Sequence, residues 1–407
     1  MSYDAVVVGA GPAGATAAKF LAEKNIRVLL LDKHSFPRDK PCGGGLPVRV
    51  LKRYPYLKND GLIDSYSSSL CFHSSSLKYN INVKKNQPII AMVLRNTFDA
   101  GLVNLATQSG AVFQGGKTGS HIKVGKDHAQ IILNDGSTID SSFIIAADGT
   151  WSAMAKQLGG IQKNLNLGVC IVEEYPVSTQ VMDQFFGEQR CVHFYVNVYG
   201  LAGYGWVFPK KEHVNIGLGE FRHALNPETE KKNLKTLYQQ FFKLLKEKQV
   251  IPETLQIHNP RGGLFPTVPI ERTYGARTVL CGDAGGLTNP LTGEGIYTAM
   301  VSGEIASKVI IKALENNISN KRALSVYQRE WMNDFGKDNK RFFRLSKGWK
   351  VDAEDFLRLI EKDKKIIDIA LTVLLEPLEL KKIRGKIIRH VFSAYAKDRL
   401  GLFDRLA

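Results

Sequence analysis

The first 33 residues of the chain combine a β-strand, a glycine-rich turn, a helix and a second strand that ends in an acid. The turn is Gly9-Ala10-Gly11-Pro12-Ala13-Gly14. Its first glycine permits a tight turn, its second leaves the backbone open to a pyrophosphate, and its third lets the helix pack closely on the strand. Asp32 lies 18 residues after the last glycine, where a carboxylate can accept hydrogen bonds from ribose hydroxyls. This pattern predicts a dinucleotide site formed by the turn, Asp32 and Lys33, with the phosphates at the helix N-terminus.

Length and cysteine content limit the class of protein. A chain of 407 residues exceeds the usual size of one domain, so we expect two domains. No run approaches the ~18 apolar residues that cross a bilayer, and the N-terminus does not resemble a signal peptide. The five cysteines form no Cys-x-x-Cys pair. We therefore expect a cytoplasmic protein with reduced thiols, no disulfide framework and no metal site.

The chain is strongly basic, with a net charge of +16. Such an excess attracts anions, including nucleic acids, acidic membranes and phosphorylated substrates. No nucleic-acid-binding motif accompanies the charge, so we expect no nucleic-acid partner. Two interpretations remain open at this point: a lysine-rich solvated surface, and peripheral contact with an anionic membrane or substrate.

The pattern of apolar residues divides the chain into three parts. Residues 1–65, 95–165 and 268–340 are predicted to form one discontinuous nucleotide-binding domain. Residues 66–94 and 166–267 alternate like antiparallel strands and are predicted to form an inserted substrate domain. Within it, residues 204–219 are predicted to form a hairpin or paired strands, and residues 227–248 a helix. Residues 341–407 are predicted to be helical and basic, with an apolar stretch at 366–375 and a basic stretch at 381–389. This last region is interpreted either as a helical cap on the core or as an apolar face that lies at a membrane surface.

A second glycine-rich segment follows a short apolar strand near residue 280. A carboxylate at the end of such a strand can accept from flavin ribityl hydroxyls, and the positive end of the following helix can face the flavin ring. We expect the strand end to contact the ribityl or pyrophosphate region and the loop backbone to contact the ring. The candidate residues are Gly282, Asp283, Pro290, Gly293, Gly295 and Ile296.

A third strand-to-turn junction, Asp148-Gly149, precedes a predicted capping serine, Ser152. Together the three elements resemble the glutathione-reductase-type FAD fold of the p-hydroxybenzoate hydroxylase superfamily. Arg95-Asn96-Thr97-Phe98-Asp99 is similar to its RxxFD segment, whose arginine approaches the cofactor. The resemblance implies FAD as the cofactor and a mixed α/β fold: a Rossmann-like FAD domain, an inserted antiparallel sheet and a C-terminal helical region. The chain departs from the hydroxylases at Ala155, where those enzymes often have an arginine, and it has no second GxGxxG motif for NAD(P)H.

Two further segments resemble the geranylgeranyl reductase family. Pro41-Cys42-Gly43-Gly44 is similar to its PCGG loop, which passes near the flavin. Tyr204, Trp206, Phe208 and Pro209, followed by Gly217 and Gly219, match its YxWxFP…GxG signature, which lines a prenyl tunnel. Alternate positions of one strand share a face, so the three aromatic rings can form an apolar wall. From the residues alone, ordinary core packing explains these rings equally well.

The family resemblance implies hydrogenation of isolated double bonds in geranylgeranyl chains. In archaea the substrates are ether-lipid precursors such as digeranylgeranylglycerophospholipid; related enzymes act on chlorophyll or menaquinone side chains. The implied partners are a prenylated lipid and an electron donor, either reduced ferredoxin or NAD(P)H. Two other functions are kept as alternatives: an FAD-dependent aromatic monooxygenase, and a flavoprotein that binds a lipid or a partner without turnover.

Cys42 is the candidate catalytic residue. An isolated alkene is a poor electrophile, so transfer of a hydride to one carbon requires an acid that protonates the other. The glycines beside Cys42 would allow the thiol to approach a flavin ring. We expect Cys42 to donate this proton or to tune the flavin, with a purely structural role as the alternative.

Overall fold

A computed structural model describes residues 3–159, 167–222, 232–348, 353–363, 365–369, 389–390, 393–395 and 397–398 of the chain. The strands are β1 (Tyr3–Val8), β2 (Val28–Leu31), β3 (Gly45–Pro47), β4 (Ser65–Ser67), β5 (Ser69–His73), β6 (Asn80–Lys84), β7 (Ile90–Met92), β8 (Val112–Gln114), β9 (Gly119–Val124), β10 (Ala129–Leu133), β11 (Thr138–Ala146), β12 (Leu167–Pro176), β13 (Val192–Val196), β14 (Gly203–Pro209), β15 (His213–Phe221), β16 (Arg261–Pro266) and β17 (Thr278–Leu280). The helices are α1 (Pro12–Ala22), α2 (Arg49–Arg53), α3 (Tyr56–Asn59), α4 (Arg95–Gln108), α5 (Ala153–Gln157), α6 (Thr179–Phe186), α7 (Leu234–Glu247), α8 (Ile296–Glu315), α9 (Lys321–Trp331), α10 (Lys337–Gly348) and α11 (Ala353–Lys362).

The first sheet has the order β8-β2-β1-β11, and β1 pairs in parallel with both of its neighbours. The far edge of β11 pairs in parallel with β17 and antiparallel with β10, which continues to β9. Val7 and Ile145 lie on the face covered by α1, α4 and α8, whereas Val6 and Ile144 lie on the opposite face. Because both faces are covered, the central segments 5–8, 28–31 and 143–146 are apolar and carry no alternating pattern. The predicted α/β nucleotide fold is confirmed.

The second sheet has the order β16-β12-β15-β14-β13-β5-β6 and is antiparallel except where β13 pairs with β5. Its two faces are different in character. Val207 and Ile216 pack under α6 and α7, while Trp206 and Phe208 point to the other side. The alternation of side chains along β14 therefore separates a conventional core from an aromatic face. The predicted hairpin is confirmed as β14 and β15.

A small three-stranded sheet, β3-β7-β4, lies between the two large sheets. Leu46 and Ala91 belong to the core of the first sheet, whereas Ile90 and Met92 pack with the aromatic face of the second. Adjacent residues of β7 thus face different cores. This sheet fixes residues 40–47 between the two parts of the molecule.

The described C-terminal residues are helical and pack on the second sheet. Leu357 and Ile360 of α11 are buried with Ile81 of β6. Most of the apolar stretch at 366–375 and of the basic stretch at 381–389 lies outside the described residues. None of the helices in the described part of the chain has the length and apolar character needed to cross a membrane.

The predicted helix over residues 227–248 corresponds to α7, which begins at Leu234. Residues 227–231 lie outside the described residues. The side chain of Asn233 accepts hydrogen bonds from the backbone N–H groups of Lys235 and Thr236. A helix N-cap therefore fixes the start of α7 at this position.

Close packing of α1 against α8 positions both helix N-termini at the same edge of the first sheet. A Cβ atom on Gly303 of α8 would lie 2.2 Å from the backbone oxygen of Ala13 in α1. No side chain fits at that distance, so the approach of the two backbones requires glycine.

We predict that Gly303→Ala lowers the free energy of unfolding by about 1–3 kcal/mol, because a backbone oxygen cannot move aside for the new methyl group. The better helix propensity of alanine would by itself stabilise α8 by about 1 kcal/mol. Urea unfolding followed by circular dichroism measures the difference. Lys312→Ala on the exposed side of α8 is the control. A Gly303→Ala protein as stable as the wild type would contradict this packing.

Candidate active site

The glycine-rich turn between β1 and α1 leaves one open position. Gly9 has a φ of +101°, and its Cβ atom would lie 2.2 Å from the oxygen of Ala147. A Cβ atom on Gly14 would lie 1.8 Å from the oxygen of Gly9. By contrast, a Cβ atom on Gly11 would meet only Arg38 Nη2, at 3.7 Å. The protein therefore requires the outer glycines for its own packing, whereas the space beside Gly11 is free for a ligand.

An anion fits this space. Gly11 is the N-cap of α1 and supplies no side-chain acceptor to the first N–H groups of the helix, and Pro12 occupies the first turn. The positive end of the helix dipole thus faces the open position. The guanidinium of Arg38 lies on the same side. Its contribution is not evident in the sequence, since the loop at 33–41 has no periodic pattern.

Asp32 lies at the end of β2, beside the glycine-rich turn. Its Oδ2 accepts a hydrogen bond from Ala10 N–H at 2.8 Å, and its Oδ1 accepts one from His34 N–H at 2.8 Å. The carboxylate is 8% exposed. Two backbone donors fix its orientation and leave lone pairs for a ribose hydroxyl. The neighbouring Lys33 is exposed.

A fully buried carboxylate, Asp99, holds two arginines at this edge. Arg95 donates to it through Nε at 2.9 Å and Nη2 at 2.7 Å, and Arg38 Nη1 lies 3.0 Å from Asp99 Oδ2. Burial lowers the pKa of Arg95, but the Asp99 carboxylate and then the Cys42 sulfur outweigh it, so the pKa is raised. Arg95 therefore remains a cation between Asp99 and Cys42.

Asp283 follows β17 and faces the same space. Its Oδ2 accepts from Lys40 Nζ at 3.1 Å, and its Oδ1 accepts from the Thr288 hydroxyl at 3.2 Å. Burial raises the pKa of Asp283, but Lys40, Thr288 and Arg95 outweigh it and lower the pKa. Asp283 is thus held ionised as a hydrogen-bond acceptor.

The third junction, Asp148-Gly149, lies against the glycine-rich turn. Asp148 Oδ2 accepts from Ala153 N–H at 2.9 Å, and Ser152 caps α5 as expected. Asp148 Oδ1 is buried and accepts no hydrogen bond from the described residues. Burial raises the pKa of this carboxyl group.

The loop between β17 and α8 lies on the other side of the open position beside Gly11. A Cβ atom on Gly282 would lie 3.1 Å from Ala13 Cβ, so this loop contacts the start of α1 directly. Gly295 is the N-cap of α8 and again supplies no side-chain acceptor. Glu294 accepts from Tyr297 N–H at 2.8 Å. The remaining predicted residues of this loop and helix start are Pro290, Gly293 and Ile296.

The loop that contains Cys42 separates this space from the aromatic face. Gly44 N–H donates to Cys42 Sγ at 3.4 Å, and the Cys42 sulfur is near enough to Arg95 to help raise the pKa of the guanidinium. A Cβ atom on Gly43 would lie 2.9 Å from the Phe208 ring and 3.2 Å from Trp206 Nε1. The thiol side of the loop therefore meets the predicted cofactor residues, and its glycine side meets the aromatic rings.

The aromatic face is continuous along β14. The ring centroids of Tyr204 and Trp206 lie 5.8 Å apart, and those of Trp206 and Phe208 lie 6.0 Å apart. Phe194 of β13 contacts Phe208 edge-on at 5.3 Å. The Tyr204 hydroxyl donates to the backbone oxygen of Thr292 at 2.5 Å, in the loop before α8. The aromatic face thus reaches the loop predicted to contact the flavin ring.

The glycines of the GxG segment lie beneath the tryptophan. A Cβ atom on Gly217 would lie 2.2 Å from the Trp206 ring, and one on Gly219 would lie 3.4 Å from it. The indole therefore lies flat on the β15 backbone. Pro209 is buried at the end of β14. The spacing of the YxWxFP…GxG segment is explained by this packing of Trp206.

Cys71, His73 and His193 form a separate cluster whose ligand atoms lie within 4.8 Å of one another. His73 Nε2 and His193 Nδ1 lie 2.9 Å apart, and His73 Nδ1 lies 2.7 Å from Asn80 Oδ1. Burial lowers the pKa of both imidazoles, and that of His193 to about 3. A direct N–H···N hydrogen bond between neutral imidazoles accounts for their proximity without a metal.

Comparison with known proteins assigns the chemistry. The FAD binding domain family matches residues 2–331. An uncharacterized protein of Methanosarcina barkeri is 31% identical over 81% of this chain and 80% of its own length. The digeranylgeranylglycerophospholipid reductase of Methanocaldococcus jannaschii is 29% identical over 98% of each chain. The geranylgeranyl diphosphate reductase of Rhodobacter capsulatus is 28% identical over 78% of this chain and 77% of its own.

Solved structures share the fold. A geranylgeranyl bacteriochlorophyll reductase-like protein from Thermoplasma acidophilum has a TM-score of 0.77 at 22% identity, covering 94% of this chain and 99% of its own. The halogenase PltM in complex with FAD has a TM-score of 0.68 at 16% identity, covering 93% and 83%. The chain therefore belongs to the FAD-binding domain family and is an FAD-dependent oxidoreductase related to the geranylgeranyl reductases.

Proposed function

We propose that this protein hydrogenates the isolated double bonds of geranylgeranyl chains on an ether-lipid precursor such as digeranylgeranylglycerophospholipid. The observation that carries the proposal is the direct contact between the aromatic face and the FAD-site loops, at Tyr204–Thr292 and at Gly43–Phe208. A hydrocarbon lying along the rings of this face would end beside the loops proposed to hold the cofactor. The reductase names of the relatives support the same chemistry.

The FAD-binding residues follow from the edge of the first sheet. Asp32 would accept from the adenosine ribose, the backbone at Gly11 and the Arg38 guanidinium would bind the pyrophosphate, and Asp283 would accept from the ribityl chain. The N-terminus of α8 would face the flavin ring. Bound FAD supplies a hydride equivalent at its ring. The sequence did not predict the contributions of Arg38 and of Lys40, which pairs with Asp283.

The aromatic face would serve the hydrocarbon in two ways. Its rings exclude water from a prenyl chain, and their π faces stabilise positive charge that develops on an alkene carbon during protonation. Tyr204, Trp206 and Phe208 are buried or nearly buried. We propose that Cys42 Sγ holds the proton that this carbon receives, with Arg95 orienting the thiol.

The proposed domain boundaries follow the two large sheets. We propose that residues 1–65, 95–165 and 268–340 form the FAD domain, that 66–94 and 166–267 form the substrate domain, and that 341–407 form a C-terminal helical region. The strands of the first sheet fall in the first set and those of the second sheet in the second set. This division would place the chemistry at the boundary, where the β3-β7-β4 sheet lies.

We further propose that the protein works in the cytoplasm at the periphery of an anionic membrane, and receives electrons from reduced ferredoxin or NAD(P)H. The charge of +16 supports attraction to acidic lipid headgroups and to a phosphorylated lipid substrate. Chlorophyll or menaquinone side chains would meet the same aromatic face, so they are tested as competing substrates. Oxygen insertion into an aromatic ring is tested as a competing reaction.

We predict that Gly11→Val weakens FAD binding by more than about tenfold, or about 1.4 kcal/mol, because its side chain fills the open position beside the turn. The φ of −70° and ψ of −176° at Gly11 suit valine, so the stability of the apoprotein stays unchanged. Equilibrium dialysis of FAD and thermal unfolding of the apoprotein measure the two effects.

Asp32→Ala is expected to weaken FAD retention as well. Asp4→Ala is the matched control, since it removes a half-buried carboxylate of the same sheet, one that pairs with Arg27. Full retention of FAD by Gly11→Val would contradict the placement of the pyrophosphate.

The function is tested by mixing anaerobically reduced protein with a geranylgeranyl lipid and following reoxidation of the flavin by absorbance.

We predict that Trp206→Leu slows reoxidation by geranylgeranyl chains more than by short prenyl chains, because it removes part of the aromatic face. Trp331→Leu is the matched control: it also truncates a buried tryptophan, in the core of the FAD domain. Equal losses for long and short chains would contradict a tunnel, and no reoxidation of the wild type would contradict the function.

We predict that Cys42→Ser lowers turnover by at least about 100-fold while FAD stays bound, because a hydroxyl is a far weaker acid than a thiol. Cys191→Ser, which changes another half-buried cysteine of the substrate domain, one that lies beside Ser69, should have little effect. Steady-state rates and flavin content are the measurements. Unchanged turnover would remove Cys42 from the mechanism.

A further inference from the structure

Asn215 connects the two parts of the proposed active site. It lies on β15, is 2% exposed and faces the same side as Trp206. Its Oδ1 accepts a hydrogen bond from Trp206 Nε1–H at 2.7 Å. Its Nδ2 donates to the backbone oxygen of Cys42 at 3.1 Å and to Glu174 Oε2 at 2.9 Å. One side chain therefore joins the aromatic face to the loop that carries the candidate acid.

These hydrogen bonds use both the carbonyl acceptor and the N–H donors of the Asn215 amide. Asparagine offers two N–H donors and one carbonyl acceptor on a short side chain. Aspartate would keep the acceptor for the indole and lose both donors, whereas leucine would lose all three bonds. The position is buried, so water cannot readily replace a lost partner.

A half-buried ion pair between Lys210 and Glu174 supports Asn215. Lys210 is 1% exposed, and its Nζ donates to Glu174 Oε2 at 2.6 Å. Its backbone oxygen in turn accepts from Arg190 Nε at 3.2 Å. The oxygen of Glu174 that binds Asn215 is therefore fixed from a second side. A Cβ atom on Gly44 would lie 3.1 Å from Lys210 Nζ, so the ion pair also contacts the Cys42 loop.

We propose that Asn215 is a positioning residue that holds the Cys42 loop at a fixed distance from the aromatic face. It acts through the Cys42 carbonyl and the Trp206 indole. Since a donor thiol must lie at the alkene carbon opposite the hydride, small movements of the loop reduce proton transfer more than binding. The catalytic part of this inference rests on the proposed function, whereas the structural part does not.

Two substitutions test the proposal in the FAD-loaded, full-length protein. Asn215→Leu removes all three hydrogen bonds, whereas Asn215→Asp removes the two donors with little change of shape and adds a negative charge beside Glu174 Oε2. Asn80→Leu is the matched control, because Asn80 also accepts from an aromatic nitrogen, at His73, but lies away from the loop. Two quantities are measured: kcat and KM with a geranylgeranyl lipid, and the rate of Cys42 alkylation by iodoacetamide, followed by peptide mass spectrometry.

We expect both Asn215 variants to retain FAD and to lose kcat by about 10- to 100-fold, with KM changed by less than about threefold. We expect Cys42 to be alkylated at least about threefold faster, because the loop opens more often. Asn80→Leu should change neither quantity. If Asn215→Leu fails to fold, the near-isosteric Asn215→Asp still gives both measurements.

An Asn215 variant with wild-type kcat and wild-type Cys42 alkylation would overturn the proposal, as would equal effects in Asn80→Leu. Faster alkylation with unchanged kcat would overturn the positioning role in catalysis. The alkylation rates also separate this inference from the proposed function: if the wild type reduces no geranylgeranyl chain, faster alkylation of Cys42 still shows that Asn215 holds the loop.

Discussion

The buried carboxylate of Asp99 is the interaction on which the rest of the site depends. It pairs with Arg95, which contacts Cys42, and with Arg38, which faces the open position at Gly11. One fully buried anion therefore fixes the cation beside the phosphate cradle and the cation beside the candidate acid. Removing it would leave two guanidinium groups without their shared partner in a buried site, which typically costs about 3–5 kcal/mol.

The close approach of backbones sets the shape of the site as strongly as charge does. The open position at Gly11 exists because Gly9 and Gly14 draw the turn tightly onto the first sheet. In the substrate sheet, Gly217 lets the Trp206 indole lie on the backbone, and Gly43 brings the Cys42 loop against Phe208. The cofactor side and the hydrocarbon side thus meet across a single loop, whose small residues keep the separation short.

The sequence predicted the parts of the molecule whose signals are local. The glycine-rich turn, the acid after β2, the β14–β15 hairpin and the shared face of Tyr204, Trp206 and Phe208 depend on spacing within about 35 residues, and spacing is visible in a sequence. The family was evident for the same reason, since its motifs are short and dense in glycine and aromatic residues.

The contacts that the sequence did not predict join distant segments. Lys40 pairs with Asp283, Arg38 with Asp99, and Asn215 with Cys42, each across a long stretch of chain. No period or motif marks these residues, because their partners are set by how the two large sheets pack on the β3-β7-β4 sheet. The start of α7 at Leu234 was not predicted for a different reason: it depends on the single N-cap side chain of Asn233, which no periodic pattern marks.

Mass spectrometry of the lipid product tests the central claim most directly. Purified, chemically reduced protein is incubated anaerobically with a digeranylgeranylglycerophospholipid. The lipid is then extracted, and its molecular mass is measured. The account predicts a stepwise gain of two hydrogens for each double bond reduced, with the headgroup unchanged. An unchanged lipid mass, together with an aromatic product heavier by one oxygen when NAD(P)H and air are supplied, would contradict it.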